Sequence, residues 1–254
     1  MLKLAFLNLK SYQKEILIFL SFIIISLIVF SPSFLNLNYF WDDERFVFLN
    51  PGLIQAPDWF SFWNFKSEFY KSWPLGYSFF WLLIKNFPTQ SIIFYKIINI
   101  IIHSLNGYLV YRFLKKLNFN LAFIISLIFL VHPMQVEAVS WVFQLLTLTA
   151  FSFFMGSLLS LLDFTESGKK TSLFLSFVFL LFSLWTKSIA LLAPILFIFI
   201  FWYRNLKLSK YILLIPFFIL SVYVGLSNQR GVDRTLSNLK PQNNIYAFLN
   251  IFDD

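Results

Sequence analysis

The sequence predicts an all-α polytopic membrane protein with about seven transmembrane helices and a long first extracytoplasmic loop of interfacial helices. Three observations carry this reading. Apolar residues make up 59% of the chain and charged residues only 13%, where an ordinary soluble domain has about 25% charged. Long apolar runs such as Ile16–Phe30 and Leu121–Val131 recur along the whole chain, and mean hydropathy is +0.73. Lysine and arginine fall in alternate connections between those runs, which is the pattern that orients helices in a bilayer. The net charge of +8 is spread over these loops and forms no clustered basic face, so it is not the footprint of nucleic-acid binding. Cysteine is absent, which excludes a disulfide framework and a thiolate metal site.

Taken in order, the apolar segments are 15–33, 91–111, 120–137, 142–162, 171–186, 189–203 and 211–226. Several fall short of the ~20 residues a perpendicular helix needs, so tilted, broken and hairpin-paired helices are expected. The first has the basic flank of a signal peptide, but bulky Phe34, Leu35 and Leu37 stand where a cleavage site would need small residues. It reads as an uncleaved anchor. Lys3, Lys10 and Lys14 precede it. Arg112, Lys115 and Lys116 follow the second segment, Lys169 and Lys170 the fourth, and Arg204, Lys207 and Lys210 the sixth. This places the N-terminus in the cytoplasm and the loop 34–90, the His132-Pro133 turn, Lys187 and the tail 227–254 on the other side. The loop 34–90 holds Trp41, Trp59, Trp63, Trp73 and Trp81, residues that favour the headgroup level, so short helices lying along the outer surface are expected. Within it, Pro74–Phe87 is apolar but only 14 residues long and reads as interfacial or re-entrant. A full span there would invert every later loop and break the charge pattern. No linker, low-complexity tract or fixed-period repeat divides the chain, so 1–254 reads as one module with 34–90 as a loop within it.

Four groups of residues could carry chemistry. Asp42, Asp43 and Glu44 are adjacent in a chain with only 12 acidic residues, and crowded carboxylates disfavour each other's ionisation, which suits a base working near neutral pH. His132 and Glu137 flank a break that Pro133 should impose, which would let both face one cavity; a solvated glutamate at a kinked helix end is the plainer alternative. An ionised carboxylate at membrane depth costs roughly 3 kcal/mol or more, so it is normally paired or lines an aqueous cavity. Lys187 could meet a phosphate, with the Thr186 and Ser188 hydroxyls as further donors, or simply snorkel at a helix end. Asn99, His103 and Asn106 form one polar stripe at i, i+4 and i+7, which interhelical hydrogen bonding explains better than catalysis does. Arg45, Arg230 and Arg234 could contact phosphate, though surface solvation is their simpler role. No P-loop, Gly-x-Gly-x-x-Gly, Gly-x-Ser-x-Gly or His-Glu-x-x-His is present, so nothing supports a nucleotide-driven pump or a nucleotide-sugar transferase.

Several of these motifs together resemble a known group. Tyr39-Phe40-Trp41-Asp42-Asp43, Trp73-Pro74-Leu75, Asn99-Ile100-Ile101-Ile102-His103 and above all His132-Pro133-x-x-x-Glu137-Ala138-Val139-x-Trp141 are similar to the transmembrane O-mannosyltransferase-like module found ahead of TPR repeats, in the GT-C superfamily of glycosyltransferases. Thr186-Lys187-Ser188 stands where that group has a Ser-Lys-Glu element. The resemblance runs from about residue 30 to 205. It implies transfer of a sugar from a polyprenyl phosphate to a hydroxyl of an exported protein or glycan, on the extracytoplasmic face and without a nucleotide. It also implies Asp42 or Asp43 as catalytic base and His132, Glu137 and Lys187 as substrate or phosphate-site residues, beside which Arg45 would be a further phosphate contact. A divalent ion held by Asp42 or Asp43 would fit as well. Two positions depart: Trp73 stands where the group often has arginine, and Ser188 where it has glutamate. The chain also ends at Asp253-Asp254 without the group's further helices or TPR repeats, and reads as an incomplete module. A transporter or lipid-handling protein, with Glu137 and Lys187 on an ion pathway, and a non-catalytic truncated relative are the alternatives.

The charge pattern makes a direct prediction. With no native cysteine in the background, Ser61→Cys should react with a membrane-impermeant thiol reagent in intact cells. Reaction only after lysis would reverse the orientation.

Overall fold

The computed structural model describes residues 10–35, 43–63, 73–87 and 92–238, and every regular element among them is helical. Helix α1 (Ser11–Phe30) starts where the Lys10 N–H donates to the Gln13 side chain at 2.8 Å, and it continues through a 3₁₀ turn, Ser31–Leu35. The described part of the loop that follows is a series of short pieces: a π-helical turn Glu44–Phe48, α2 (Pro51–Ile54), a 3₁₀ turn Trp59–Trp63 and α3 (Pro74–Asn86). Pro51 and Pro74 stand at helix starts, where a backbone N–H would have no partner in any case. Then come α4 (Ile92–Lys116), α5 (Ala122–Val131), α6 (Gln135–Ser140), a 3₁₀ turn Val142–Gln144 that leads into α7 (Leu145–Ser167), α8 (Lys170–Thr186), α9 (Ala193–Tyr203) and α10 (Ile215–Asn238).

Four stretches are long and apolar enough to cross a bilayer: Ser11–Leu35, Ile92–Lys116, Val142–Ser167 and Leu208–Ser227. The predicted segments at 120–137, 171–186 and 189–203 are present as shorter apolar helices of 10, 17 and 11 residues. Large apolar side chains face outward on several helices, among them Ile28 (68% exposed), Phe174 (66%) and Trp202 (71%), as a lipid-facing surface requires. The chain is a helical membrane protein. Helices α4 and α7 form its centre, each with half of its most apolar window buried, against 17% for α1 and 22% for Leu208–Ser227.

Helix α8 packs along α7 through small residues. The Ser157 hydroxyl donates to the Ser176 carbonyl at 2.7 Å, Ser176 returns a bond to the Ser157 carbonyl at 2.9 Å, and Ser183 donates to the Ala150 carbonyl at 2.8 Å. With no water to compete, small side chains and hydroxyl bonds are what hold helices together in lipid.

At one end of the bundle, the basic connections meet carboxylates. Lys115 pairs with Glu15 at 2.7 Å, Lys116 with Asp163 at 2.5 Å and Glu166 at 2.9 Å, and Arg204 with Glu166 at 2.8 Å. One network therefore ties the start of α1 to the ends of α4, α7 and α9. The loop pieces fold over the other end. Val47, Leu53, Phe62, Tyr77 and Phe80 make a common core there with Val142, Phe143 and Leu146. The tryptophans fasten this cap: Trp81 Nε1 donates to the Ala56 carbonyl at 2.9 Å, and Trp63 Nε1 to the Ser78 hydroxyl at 3.1 Å.

Gly76 lets α3 sit against α8. A Cβ at this position would lie 2.5 Å from the Thr186 carbonyl oxygen and 2.8 Å from Leu146 Cδ2. Gly76→Ala should therefore cost about 1–3 kcal/mol, the usual range for overpacking, read as a lower unfolding temperature in detergent. Gly225→Ala is the control, since its Cβ would meet Leu191 at an ordinary 3.7 Å and should be neutral or slightly stabilising.

Candidate functional site

The predicted break at His132-Pro133 is present, and it governs the geometry of the capped end. Helix α5 stops at Val131, His132 takes an extended conformation, and α6 lasts only to Ser140 before the chain turns again into α7. The polar stripe of α4 bonds backbone carbonyls on both sides of these interruptions. Asn99 Nδ2 donates to the carbonyls of Val139 (3.2 Å) and Trp141 (2.9 Å), and Asn106 Nδ2 to that of Leu148 (2.9 Å). His103 Nε2 lies 2.8 Å from the Leu130 carbonyl; a carbonyl can only accept, so this nitrogen carries the proton.

Three of the predicted site residues converge on the turn that starts α7. Asp43 is fully buried and accepts the Phe143 N–H at 2.8 Å, tying the first loop to the turn. Glu137 is exposed and accepts from Gln144 Nε2 at 3.4 Å. Lys187 sits between α8 and the Ser188–Ala190 turn, where the backbone is extended (φ −162°, ψ 138°) and the helix is broken. Its ammonium donates to Gln144 Oε1 at 3.2 Å and Thr147 Oγ1 at 2.7 Å. It also stands 5.7 Å from the centre of the Phe143 ring and 5.8 Å from that of Trp73, over both aromatic faces. Gln144 thus links Glu137 to Lys187, while its backbone neighbour Phe143 links Lys187 to Asp43.

The other predicted residues are placed less centrally. His132 is exposed, and its Nδ1 accepts the Met134 N–H at 3.2 Å, a local turn contact that does not reach Glu137. Arg45 is exposed over the Phe46 ring at 5.3 Å. The Thr186 hydroxyl turns back to the Phe182 carbonyl at 2.7 Å, so it is not a donor beside Lys187. Ser188 accepts from Trp73 Nε1 at 3.2 Å. Trp73, read from the sequence as a missing phosphate contact, instead forms one wall around the lysine. Asp42, with Tyr39, Phe40 and Trp41, lies outside the described residues, and Arg230 and Arg234 lie where only the backbone is described. Among the described residues, no three His, Asp or Glu side chains gather as metal ligands.

Sequence reasoning missed Gln144, Thr147 and Lys96. Lys96 lies one turn before Asn99 on α4 and is fully buried. It donates to the Ser33 carbonyl at 2.7 Å and is attracted by the charge of Asp43. A lysine on an apolar helix flanked by tyrosine was a signal that could have been followed.

Comparison with family models, with curated proteins and with solved structures gives no match to this chain.

Asp43 and Lys96 are both fully buried and carry opposite charges that attract, and leaving a buried charge without its opposite costs up to about 3–5 kcal/mol. Asp43→Ala should approach that loss. Asp43→Asn should lose less, because Asn can still accept the Phe143 N–H. Thermal unfolding in detergent measures both, and the double variant Asp43→Asn/Lys96→Met should be more stable than the sum of the single losses predicts. Strict additivity would show that the two charges are not coupled.

Proposed function

We propose that this chain is a membrane glycosyltransferase that moves a sugar from a polyprenyl-phosphate donor to a hydroxyl acceptor on the extracytoplasmic face. In this reading the seven apolar segments all span the membrane and the N-terminus is cytoplasmic. The ion-paired end then faces the cytoplasm, and the capped end faces outward. The observation that carries the reading is the convergence of Asp43, Glu137 and Lys187, from positions far apart in sequence, on one turn beneath the first loop. These residues include the most specific parts of the family resemblance. The carboxylates and the lysine meet at the end of the bundle, where transfer chemistry needs them. A transport path would place them at mid-membrane.

The proposed step is direct displacement at the sugar's anomeric carbon. Asp42 or Asp43 accepts the proton of the acceptor hydroxyl as its oxygen bonds to that carbon. The bond from the carbon to the phosphate oxygen breaks, and the electron pair leaves with the lipid phosphate. Lys187, walled by Trp73 and Phe143 and held by Gln144 and Thr147, offers a positioned positive charge for that phosphate, and His132 adds a second donor from the rim. Since the leaving group is already activated, the protein's task is mainly to position the reactants and to stabilise the charge that develops.

The test is sugar release and transfer from a polyprenyl-phosphate sugar by purified protein, with rates normalised to the folded fraction. Asp42→Asn and Asp43→Asn should differ, the base variant losing the ~10²–10⁴-fold typical of general-base catalysis. Lys187→Ala should raise the donor KM more than the acceptor KM. Unchanged turnover in both Asp variants would remove the transferase reading.

A further inference from the structure

The ion-paired end of the bundle, far from the Phe143 turn, carries a groove of its own. Leu17, Ile18 and Ser21 of α1, Tyr111 of α4 and Phe123 of α5 line a cavity of about 530 Å³. Leu17 and Phe123 are exposed, so the groove opens sideways on the bundle's outer surface, while Tyr111 is buried. The Ser21 hydroxyl is turned back to the Ile18 carbonyl at 2.7 Å, and Tyr111 is engaged by Lys115, whose ammonium stands 5.4 Å from the ring centre. The lining therefore offers its occupant apolar surface, which suits a hydrocarbon chain and not a polar ligand.

Cations gather where this groove meets the helix ends. Lys10, Lys14, Leu17, Ile18 and Ser21 follow one another at the three- and four-residue spacing of a single helix face, so the α1 wall runs from two lysines into the groove. At 1.5 Å per residue, the α1 lining lies about 5–10 Å deeper than Lys14. Lys115 stands one turn beyond Tyr111 on α4, with its side chain 54% exposed. The chain segments that form these walls, 10–21 and 108–123, hold five cations and one carboxylate, Glu15. Lys116 turns away to Asp163 and Glu166, and Lys115 bonds Glu15 at 2.7 Å, so the mouth of the groove keeps a net positive charge with every pair made.

We propose that this groove holds one acyl chain of an anionic glycerophospholipid of the bilayer, of the phosphatidylglycerol type, with its phosphate among Lys10, Lys14 and Lys115. Lipid tails fill any groove on a membrane span, so the head decides which lipid stays, and basic pockets between spans select anionic heads. A zwitterionic head brings its own ammonium to the lysines and loses most of that gain. A second copy of the chain packed side by side would set these lysines against its own, a like-charge contact that disfavours it. The bound lipid would fasten α1, whose most apolar window is only 17% buried, to α4 and α5. Nothing in this site depends on the transferase reading.

The experiment compares retention of phosphatidylglycerol and phosphatidylcholine by the purified full chain in native mass spectrometry, and its unfolding temperature in nanodiscs of either lipid. Phosphatidylglycerol should be retained preferentially and should raise the unfolding temperature. Lys10→Gln and Lys14→Gln should each weaken that retention about 5-fold. Leu17→Trp fills the groove from an exposed position and leaves every charge in place, and the folded variant should lose the preference. Equal retention of the two lipids overturns the proposal in favour of an ordinary lipid annulus. Undiminished preference in Leu17→Trp overturns it in favour of surface charge alone, and a dimer mass without bound lipid in favour of a second copy. Sugar transfer assayed on the same preparations fails or succeeds without touching any of these outcomes.

Discussion

In hydrocarbon a broken helix survives only where its freed backbone groups find partners, and α4 supplies those partners here. Between Val131 and Leu145 the chain passes from α5 through the short α6 and a 3₁₀ turn into α7. Left alone, each turn would expose carbonyls at several kcal/mol apiece. Asn99 and His103, on one face of a 25-residue helix, answer this at the ends of α5 and α6, where they bond the carbonyls of Leu130 and Val139, while Asn99 also reaches the Trp141 carbonyl and Asn106 ties α4 to the Leu148 carbonyl in the first turn of α7. The stripe is therefore a template. It holds α5, α6 and the start of α7 in a path that no continuous helix could follow, and the candidate site is built on the last turn of that path.

The site depends on a second break in the same way. Lys187 reaches Gln144 and Thr147 because its own backbone is extended between α8 and the next turn, which swings the side chain out of the α8 axis. Asp43 performs the matching task from above, since its carboxylate satisfies an N–H at the start of the turn, where helical N–H groups have no partner of their own. Two interruptions and one capping acid thus fix the positions of Asp43 and Lys187 around Phe143.

Much of this was legible in the sequence. The apolar runs gave the positions of the helices, Pro133 gave the break, and the i, i+4, i+7 spacing of the α4 stripe gave its role between helices. Helix lengths were less legible, since Pro133 marks where a helix cannot continue but not how soon the chain turns before it. Gln144 carried no signal. A lone glutamine in an apolar run matters here only because a lysine 43 residues later folds onto it. Thr186 misled for a local reason: near a helix end its hydroxyl finds the carbonyl four residues back more readily than any distant partner. Trp73 was read as the absence of arginine, although an aromatic face can hold a cation from another helix as well as a guanidinium can meet a phosphate.

The two ends of the bundle use charge differently, and the difference bears on function. At the ion-paired end, Lys115, Lys116, Asp163 and Glu166 are all partly exposed, so their pairs are screened and contribute modestly, in the manner of a rim that holds helix ends in register. At the capped end, Asp43 and Lys96 are fully buried. Desolvating two charges costs more than their attraction commonly returns, and well-packed apolar residues of the same volume would often serve stability as well or better. Register accounts for part of this, because Asp43 ties the first loop to the Phe143 turn and Lys96 ties α4 to the Ser33 carbonyl after α1. Both charges lie beneath the first loop, beside the Phe143 turn on which the candidate site is built.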